Sequence, residues 1–460
     1  MNRKTINSDT AAARLAAFLE RAVSPYHTVA EGKKLLAAAG FKELPRTGAW
    51  SIKNGGRYMV SPFATALFAF TVPDKVNKAS ARGIHIAAAH TDFPCLHVKP
   101  VAELPSKGYM RVNTEIYGGP ILNTWLDRPL SLAGRVMLRS SSIYEPKEVL
   151  VDFERPVLTI PNLAVHYNRE VNDGLKLSRQ NDMLPLMGMI NDKLNEASYF
   201  IDLLASQLKV KKQDILDFDL IVYNAEKPAF IGMQNEMLSA PRLDNVTSCL
   251  ALIEGIIAAA AAETAKESTP TPARRGRKAA GADDGKGISL IALFDNEEIG
   301  SQTKQGANSA LLDMILCRIY EGLGLEGERL DSDISRGFLL SVDVAHALHP
   351  AHAEKYDPVN NMRMGDGVTL KLSANQRYTY DAVAVASLQQ LCEKAGVRYR
   401  KFVNNSDMPG GGTLGPIISS HLPMYTVDIG VPILAMHSAR ELMGAGDQDE
   451  LTRLMCEFLR

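Results

Sequence analysis

Ile288-Ser289-Leu290-Ile291-Ala292-Leu293-Phe294, followed at once by Asp295-Asn296-Glu297-Glu298-Ile299-Gly300-Ser301, is the stretch on which the fold turns. A nearly unbroken apolar run of this length reads as a strand buried on both faces, the kind found inside a parallel sheet. In open α/β sheets the carboxyl ends of the strands form the crevice where ligands sit. This strand ends in Asp295, Glu297 and Glu298. Adjacent residues near a strand end tend to point to different sides. That arrangement suits two tasks, one carboxylate binding a metal and its neighbour handling a proton. Strand ends are often merely polar, so the other strands have to decide.

Working outward, the same texture recurs. Residues 84–89 are apolar and end at His90-Thr91-Asp92. Residues 338–342 end at Asp343, and a last strand over 425–429 precedes His437. Asp244 stands just before a very apolar run, 246–262, that predicts a buried helix. Between 99 and 237 the texture changes to short strand-like runs (112–116, 130–138, 149–153, 157–160) separated by Gly, Pro and Ser, closed by helical sequence over 184–208. The reading is an α/β domain over 1–98 and 238–460, with a mixed, mostly parallel sheet flanked by helices, into which a β-rich domain over 99–237 is inserted.

The remaining elements are ordinary. Ser8 or Asp9 is expected to cap a first helix whose apolar face is Ala11, Leu15, Phe18 and Leu19. Pro25 interrupts it, and a second helix spans 28–40. Further helices are expected over 308–323, over 381–395 and from about Asp447, with a strand over 397–402. Residues 264–287 are rich in Pro, Gly, Ala and charge, and predict a disordered surface loop. Its basic cluster, Arg274 to Lys278, reads as a solvated linker.

Composition excludes several classes. Lys and Arg total 51 against 52 Asp and Glu, a net charge of -1, which points to neither nucleic acid nor a membrane surface. No apolar run is read as approaching the roughly 20 residues that span a bilayer, and the amino terminus has no signal-peptide core. Cys95, Cys249, Cys317, Cys392 and Cys456 are scattered, with no CxxC pair, which suits reduced cytoplasmic thiols and argues against a thiolate zinc site. A bound metal must therefore use histidine and carboxylates.

His90, Asp244, Glu297, Glu298, Asp343 and His437 supply that set. Two imidazoles and several carboxylates suit zinc, with manganese or cobalt as alternatives, and there are enough for two ions sharing one bridging carboxylate. Each residue has a plainer reading, since a lone strand-end histidine is usually only hydrogen-bonded and an aspartate before a helix usually caps it. His85, His97, His346, His349 and His352 show that histidine alone is not diagnostic here. The coincidence at one edge of one sheet outweighs the separate alternatives.

Several motifs carry a resemblance. HTDFPCLHVKP (90–100), PRLDN (241–245), FDNEEIGSQTKQGA (294–307), SVDVAHALHP (341–350), GGTLGPI (411–417) and LAMHSARELMG (434–444) resemble, in order, those of the aspartyl aminopeptidase family of dinuclear metallo-aminopeptidases. SPYHTV (24–29) and WLDRPLSLAGRV (125–136) match as well. The resemblance implies two divalent ions per subunit, zinc first, with His90 and Asp343 on one, Glu298 and His437 on the other, and Asp244 bridging. It implies that Glu297 is the general base, that Asp92 orients His90, and that the inserted domain mediates dimerisation.

It further implies cleavage of the N-terminal peptide bond of peptides by metal-activated water, and a dimer-based homo-oligomer forming a tetrahedral dodecamer. An acidic first residue would be held by Lys371 and Tyr378, with the rival cation Arg377 facing elsewhere. His166, in IPNLAVH (160–166), resembles the histidine that reaches a neighbouring subunit's active site. The sequence departs from the family pattern at Ser61-Pro-Phe-Ala-Thr65 and at Gly410-Gly-Gly412, which bears on substrate contacts. Two alternatives stay open, an aminopeptidase of this fold preferring neutral residues and an inactive assembly protein built on it.

Overall fold

In the computed structural model, which describes residues 9–76, 83–190, 199–267 and 287–460, Ser289–Phe294 lies inside a nine-stranded sheet. It pairs antiparallel with Leu67–Thr71 and parallel with His85–His90. Phe338–Val342 and then Tyr425–Gly430 continue in parallel. Val368–Leu372, antiparallel to its neighbour, and Tyr399–Val403 complete that side. Lys42–Glu43 and Arg57–Val60 form the other edge. The sheet is thus mixed and mostly parallel.

Why an unbroken apolar run was needed is visible in the packing. Leu290, Ala292 and Phe294 face one layer with Leu312, Ile315 and Leu414, from the helices Leu311–Gly322 and Leu414–His421. Ile291 and Leu293 face the opposite layer with Leu250, Ile253 and Leu454, from Leu243–Glu267 and Ala445–Phe458. With helices on both faces the period-two alternation of a half-exposed strand has no reason to appear. Because the four central strands run the same way, their carboxyl ends share one edge.

Residues 95–224 contribute a separate six-stranded sheet in the order Lys147–Asp152, Leu130–Leu138, Ile215–Asn224, Cys95–Ser106, Tyr109–Tyr117, Leu186–Met189, antiparallel throughout. Cys95–Ser106 escapes a sequence reading because Pro100 and Pro105 remove ladder donors; the pairing with Tyr109–Tyr117 shifts register between Val98 and Glu103. The expected strand over 157–160 makes only isolated bridges. The expected helical stretch 184–208 contains the strand Leu186–Met189 and the helix Tyr199–Leu208.

A third, five-stranded sheet joins Ala229–Ile231, Met237–Ala240, Glu441–Gly444, Pro432–Leu434 and Ala345–His346. It brings the segment before Asp244 beside the two strands that flank His437.

Several local expectations need correction. Thr10, not Ser8 or Asp9, caps the first helix, Ala11–Leu19, by accepting from Ala13 N; Ser8 lies outside the described residues. Pro25 starts the second helix, Pro25–Ala38, rather than interrupting anything, because proline is tolerated at the first helical position. Leu243–Ala262, 20 residues, is long and apolar enough to span a membrane by length and composition, contrary to the sequence reading. That window is 72% buried in the protein, as a core helix between sheet and helices would be. The expected loop over 264–287 begins later than read, since the helix continues to Glu267; residues 268–286 lie outside the described residues.

Candidate active site

Two sharp turns build the site. After Phe294 the chain turns left-handed at Asn296 (φ 64°) and makes one 3-10 turn, Glu297–Ile299. The turn is held from below by Asp92, whose Oδ1 accepts Glu297 N and whose Oδ2 accepts Glu298 N, both at 3.1 Å. Asp295 turns away and accepts from Gln305 Nε2 (3.3 Å), so two of the three strand-end carboxylates reach the cavity. At the second turn, Asp244 (φ -79°, ψ 110°) and Asn245 depart from helical geometry at the head of the long apolar helix.

The side chains of this edge converge. His90 Nε2 lies 3.5 Å from Asp244 Oδ1, 3.5 Å from Asp343 Oδ1 and 3.9 Å from Glu297 Oε2. His437 Nε2 lies 3.4 Å from Asp244 Oδ2 and 3.5 Å from Glu298 Oε2. Asp244 therefore stands between the imidazoles, one oxygen toward each. The Nδ1 atoms face acceptors: that of His90 the Asp92 carbonyl (3.1 Å) and Oδ1 (3.3 Å), that of His437 the Gly119 carbonyl (3.1 Å). Each Nδ1 thus carries a proton, and each Nε2 is turned to the carboxylates. Glu297 and Glu298 part company as adjacent residues should, one toward each imidazole.

Burial sets the electrostatics. It pushes the Glu297 carboxyl up to about 8, with Asp343, Asp92 and Asp244 adding and His90 opposing. Burial and Asp244 hold Glu298 well above the carboxylate range. Burial works against charge on the imidazoles, but Asp343 and Asp92 raise His90 well above its usual value, and Asp244 and Glu298 push His437 up to about 10. Asp343 moves the other way: burial would raise it, but the Lys371 ammonium and His90 hold it below the ordinary range.

These residues fit a metal. Asp244 Oδ1, Glu298 Oε1 and Asp343 Oδ1 are buried without a hydrogen-bond partner. Buried polar oxygens are rarely left so. Ligand atoms of His90, Asp244 and Glu298 all lie within 4.8 Å of one another. Two nitrogen or oxygen ligands sharing a tetrahedral zinc are about 3.3–3.6 Å apart, given bonds of about 2.0–2.2 Å. The imidazole–carboxylate separations of 3.4–3.5 Å fall in that range.

The site opens into a cavity of about 770 Å³, whose lining includes Lys371, Tyr378, Gly410 and Thr413. Lys371, only 2% exposed, donates to Val344 O (3.1 Å) and lies 3.6 Å from Asp343 Oδ2. Its Nζ sits over the Tyr378 ring, 5.2 Å from the centroid. Arg377 does not face elsewhere as expected; it is exposed and lines the same cavity. His166 lies in an exposed segment and is not among the residues lining this cavity.

Sequence reasoning missed Glu441, whose Oε2 accepts Asp244 N (3.1 Å) and Oε1 His437 N (2.9 Å). It missed Asp428, which accepts from Thr379 N (2.5 Å) and Thr413 Oγ1 (2.7 Å) behind the cavity wall. A carboxylate inside an otherwise mostly apolar strand was the available signal for Asp428; Glu441 opens its strand directly after Arg440 and carried no such signal.

The sequence matches the family described as "Aminopeptidase I zinc metalloprotease (M18)" over residues 18–459. The chain belongs to this family of zinc metallo-aminopeptidases. A probable M18 family aminopeptidase 2 of Clostridium novyi is 40% identical, covering 96% of each chain. Aspartyl aminopeptidase 4 of Saccharomyces cerevisiae is 35% identical, covering 100% of this chain and 96% of its own. Among solved structures, a chain from the cryo-EM structure of the Ape4 and Nbr1 complex superposes with a TM-score of 0.87 at 32% identity, covering 98% of this chain and 85% of that one. The S. cerevisiae mApe1 dodecamer gives 0.80 at 25% identity, with 97% and 95% covered. This M18 chain is therefore an exopeptidase hydrolase of the α/β class.

The crowded carboxyls give a test. Glu297 and Glu441 sit near 8 when folded against about 4.3 unfolded, so the folded metal-free protein binds more protons and their contribution to stability is lost as pH rises from about 5 to about 8. The metal binds the deprotonated ligand set, so its affinity moves the opposite way. The gap in melting temperature between zinc-loaded and chelator-stripped protein should widen as pH rises across this window. A gap that narrows would contradict the arrangement.

Proposed function

We propose that this M18 aminopeptidase removes an N-terminal Asp or Glu from peptides at a two-ion centre, with zinc the preferred metal. The observation that carries the reading is the position of Asp244 between His90 and His437, one carboxylate oxygen toward each imidazole. His90 and Asp343 would hold one ion, Glu298 and His437 the other, and Asp244 both. Zinc held there would polarise the scissile carbonyl and lower the pKa of the attacking water from 15.7 towards about 7.

The protein's own groups do the rest. Glu297, part-buried and lining the cavity with its Oε2 3.9 Å from His90 Nε2, is placed to act as the general base. It would take the proton of the attacking water and return it to the leaving amine. Asp92 holds both the Nδ1 of His90 and the backbone of the Glu297 turn, so base and imidazole keep a fixed separation.

The preference for an acidic first residue is supported by Lys371 in the cavity wall and by the aspartyl aminopeptidase name of the yeast relative. An acidic side chain entering a part-buried pocket needs a cation, or its desolvation opposes binding. Lys371 is already 3.6 Å from Asp343, so its charge is shared between ligand and substrate, and Arg377 is the second cation at hand. We also place the protein in the cytoplasm, on the strength of five free cysteines, and assign it a homo-oligomeric, dimer-based state with the six-stranded sheet as the dimerisation unit. The yeast dodecamer supports that assignment. In that assembly His166, on its exposed segment, would reach a neighbouring subunit's cavity and help hold the substrate.

Three experiments decide these points. Glu297→Gln should keep its zinc yet lose at least about 10²–10⁴-fold in kcat, whereas Asp244→Ala should lose zinc; a fully metallated Asp244→Ala enzyme would remove the bridge. At saturating zinc, Lys371→Met should lower the Glu-to-Leu ratio of kcat/KM by more than about tenfold, since truncating one partner of a desolvated charge pair costs about 2–5 kcal/mol. An unchanged ratio in a folded, fully metallated variant would remove Lys371 from the specificity pocket. Mixing inactive Glu297→Gln subunits with inactive His166→Ala subunits should restore activity in mixed oligomers, and proven mixed oligomers without activity would defeat the contribution in trans.

A further inference from the structure

The two imidazoles of the site are gripped from outside the nine-stranded sheet by one short stretch, the end of an antiparallel strand and the loop that follows it. Tyr117 ends the strand Tyr109–Tyr117. Its hydroxyl donates to Asp92 Oδ2 at 2.7 Å and accepts from Asn296 Nδ2 at 2.8 Å. Asn296 is fixed in turn because its Oδ1 accepts from Thr303 Oγ1 at 2.8 Å. Two residues further on, the Gly119 carbonyl accepts from His437 Nδ1, and Ile121 N donates to the His437 carbonyl at 2.9 Å. Between them Gly118 adopts the left-handed φ of 68° that favours glycine, and a Cβ there would crowd Glu298 Cβ at 3.1 Å.

We propose that residues 117–121 act as a clamp that sets the geometry and zinc affinity of both halves of the site, with Tyr117 as a positioning residue. The inference rests on the reading of His90 and His437 as ligands. Its physical content lies in how many groups Asp92 must satisfy. Asp92 Oδ1 serves His90 Nδ1 and Glu297 N, and Oδ2 serves Glu298 N and the Tyr117 hydroxyl. Without the hydroxyl, Oδ2 keeps a single donor and Asp92 is held by three partners instead of four, which loosens its grip on the His90 ring and on the turn bearing Glu297 and Glu298. Groups that fix a ligating imidazole from behind typically change metal affinity by about 10–100-fold when removed. Gly119 does the same for His437 through a backbone carbonyl, which no side-chain reading could reveal. The antiparallel sheet would thus tune the metal centre in addition to any part in assembly.

Tyr117→Phe tests this, because it deletes one oxygen and leaves the ring stacked on His97, 4.9 Å between centroids. Zinc affinity, measured by competition with a chromophoric chelator, should weaken about 10–100-fold, while the metal-free protein still folds and melts cooperatively. Tyr109→Phe, at the far end of the same strand, should keep parental affinity. If Tyr117→Phe does not fold, Gly118→Ala should show the same loss of zinc through its crowding of Glu298. Parental affinity in a folded Tyr117→Phe or Gly118→Ala protein overturns the clamp and leaves the proposed metal centre standing. A parent protein that takes up no zinc overturns the metal centre and the clamp together.

Discussion

The rest of the structure answers to one constraint, the burial of Asp92, Asp244, Glu297, Glu298 and Asp343 around two imidazoles. Taking a carboxylate out of water costs several kcal/mol unless opposite charge and hydrogen bonds compensate it. Within 4 Å of these carboxylates, the positive charge among the described residues comes from His90, His437 and Lys371. Three of its oxygens accept no hydrogen bond at all. A protein that tolerates this without a cation is unusual; one that uses it to hold a divalent cation is ordinary chemistry for an M18 zinc aminopeptidase.

Such a cluster has to be held from every side, and the three sheets divide that work. The parallel strands deliver His90, Glu297, Glu298 and Asp343 to one edge, because a parallel sheet puts all its carboxyl ends together. The five-stranded sheet brings Glu441 under the backbone amides of Asp244 and His437, tying Asp244 to the second imidazole. The antiparallel sheet closes the site through Tyr117 at the end of its strand and the loop 118–121 that follows. Each sheet supplies hydrogen bonds that the others cannot reach.

The wall of the cavity shows the same economy. Lys371 is register partner to Asp428 in the nine-stranded sheet and lies near Asp343, so one buried ammonium balances two buried carboxylates. Asp428 also accepts from Thr379 and Thr413, which places Tyr378 and the end of the Gly410–412 loop at fixed positions on the cavity wall. The cavity wall and the carboxylate cluster therefore share supporting residues.

By itself the sequence determined the strands with both faces buried, their polar ends, and the residue types that meet there. Unbroken apolar runs such as 288–294 can sit only inside a covered sheet, and a chain without paired cysteines has histidine and carboxylate as its metal donors. It also carried the change of texture between 99 and 237, though Pro100 and Pro105 hid one long strand and 157–160 promised one that does not form. Only the tertiary structure decided that Pro25 opens a helix, that Arg377 lines the cavity, and that Asp295 turns away while Glu297 and Glu298 turn in. Only the fold could bring Tyr117, Gly119, Asp428 and Glu441 to the site, since they act through hydrogen bonds between segments far apart in the chain, one of them through a backbone carbonyl. Periodicity reports which face of an element is buried; it carries no information about which distant backbone atom will lie 3 Å away.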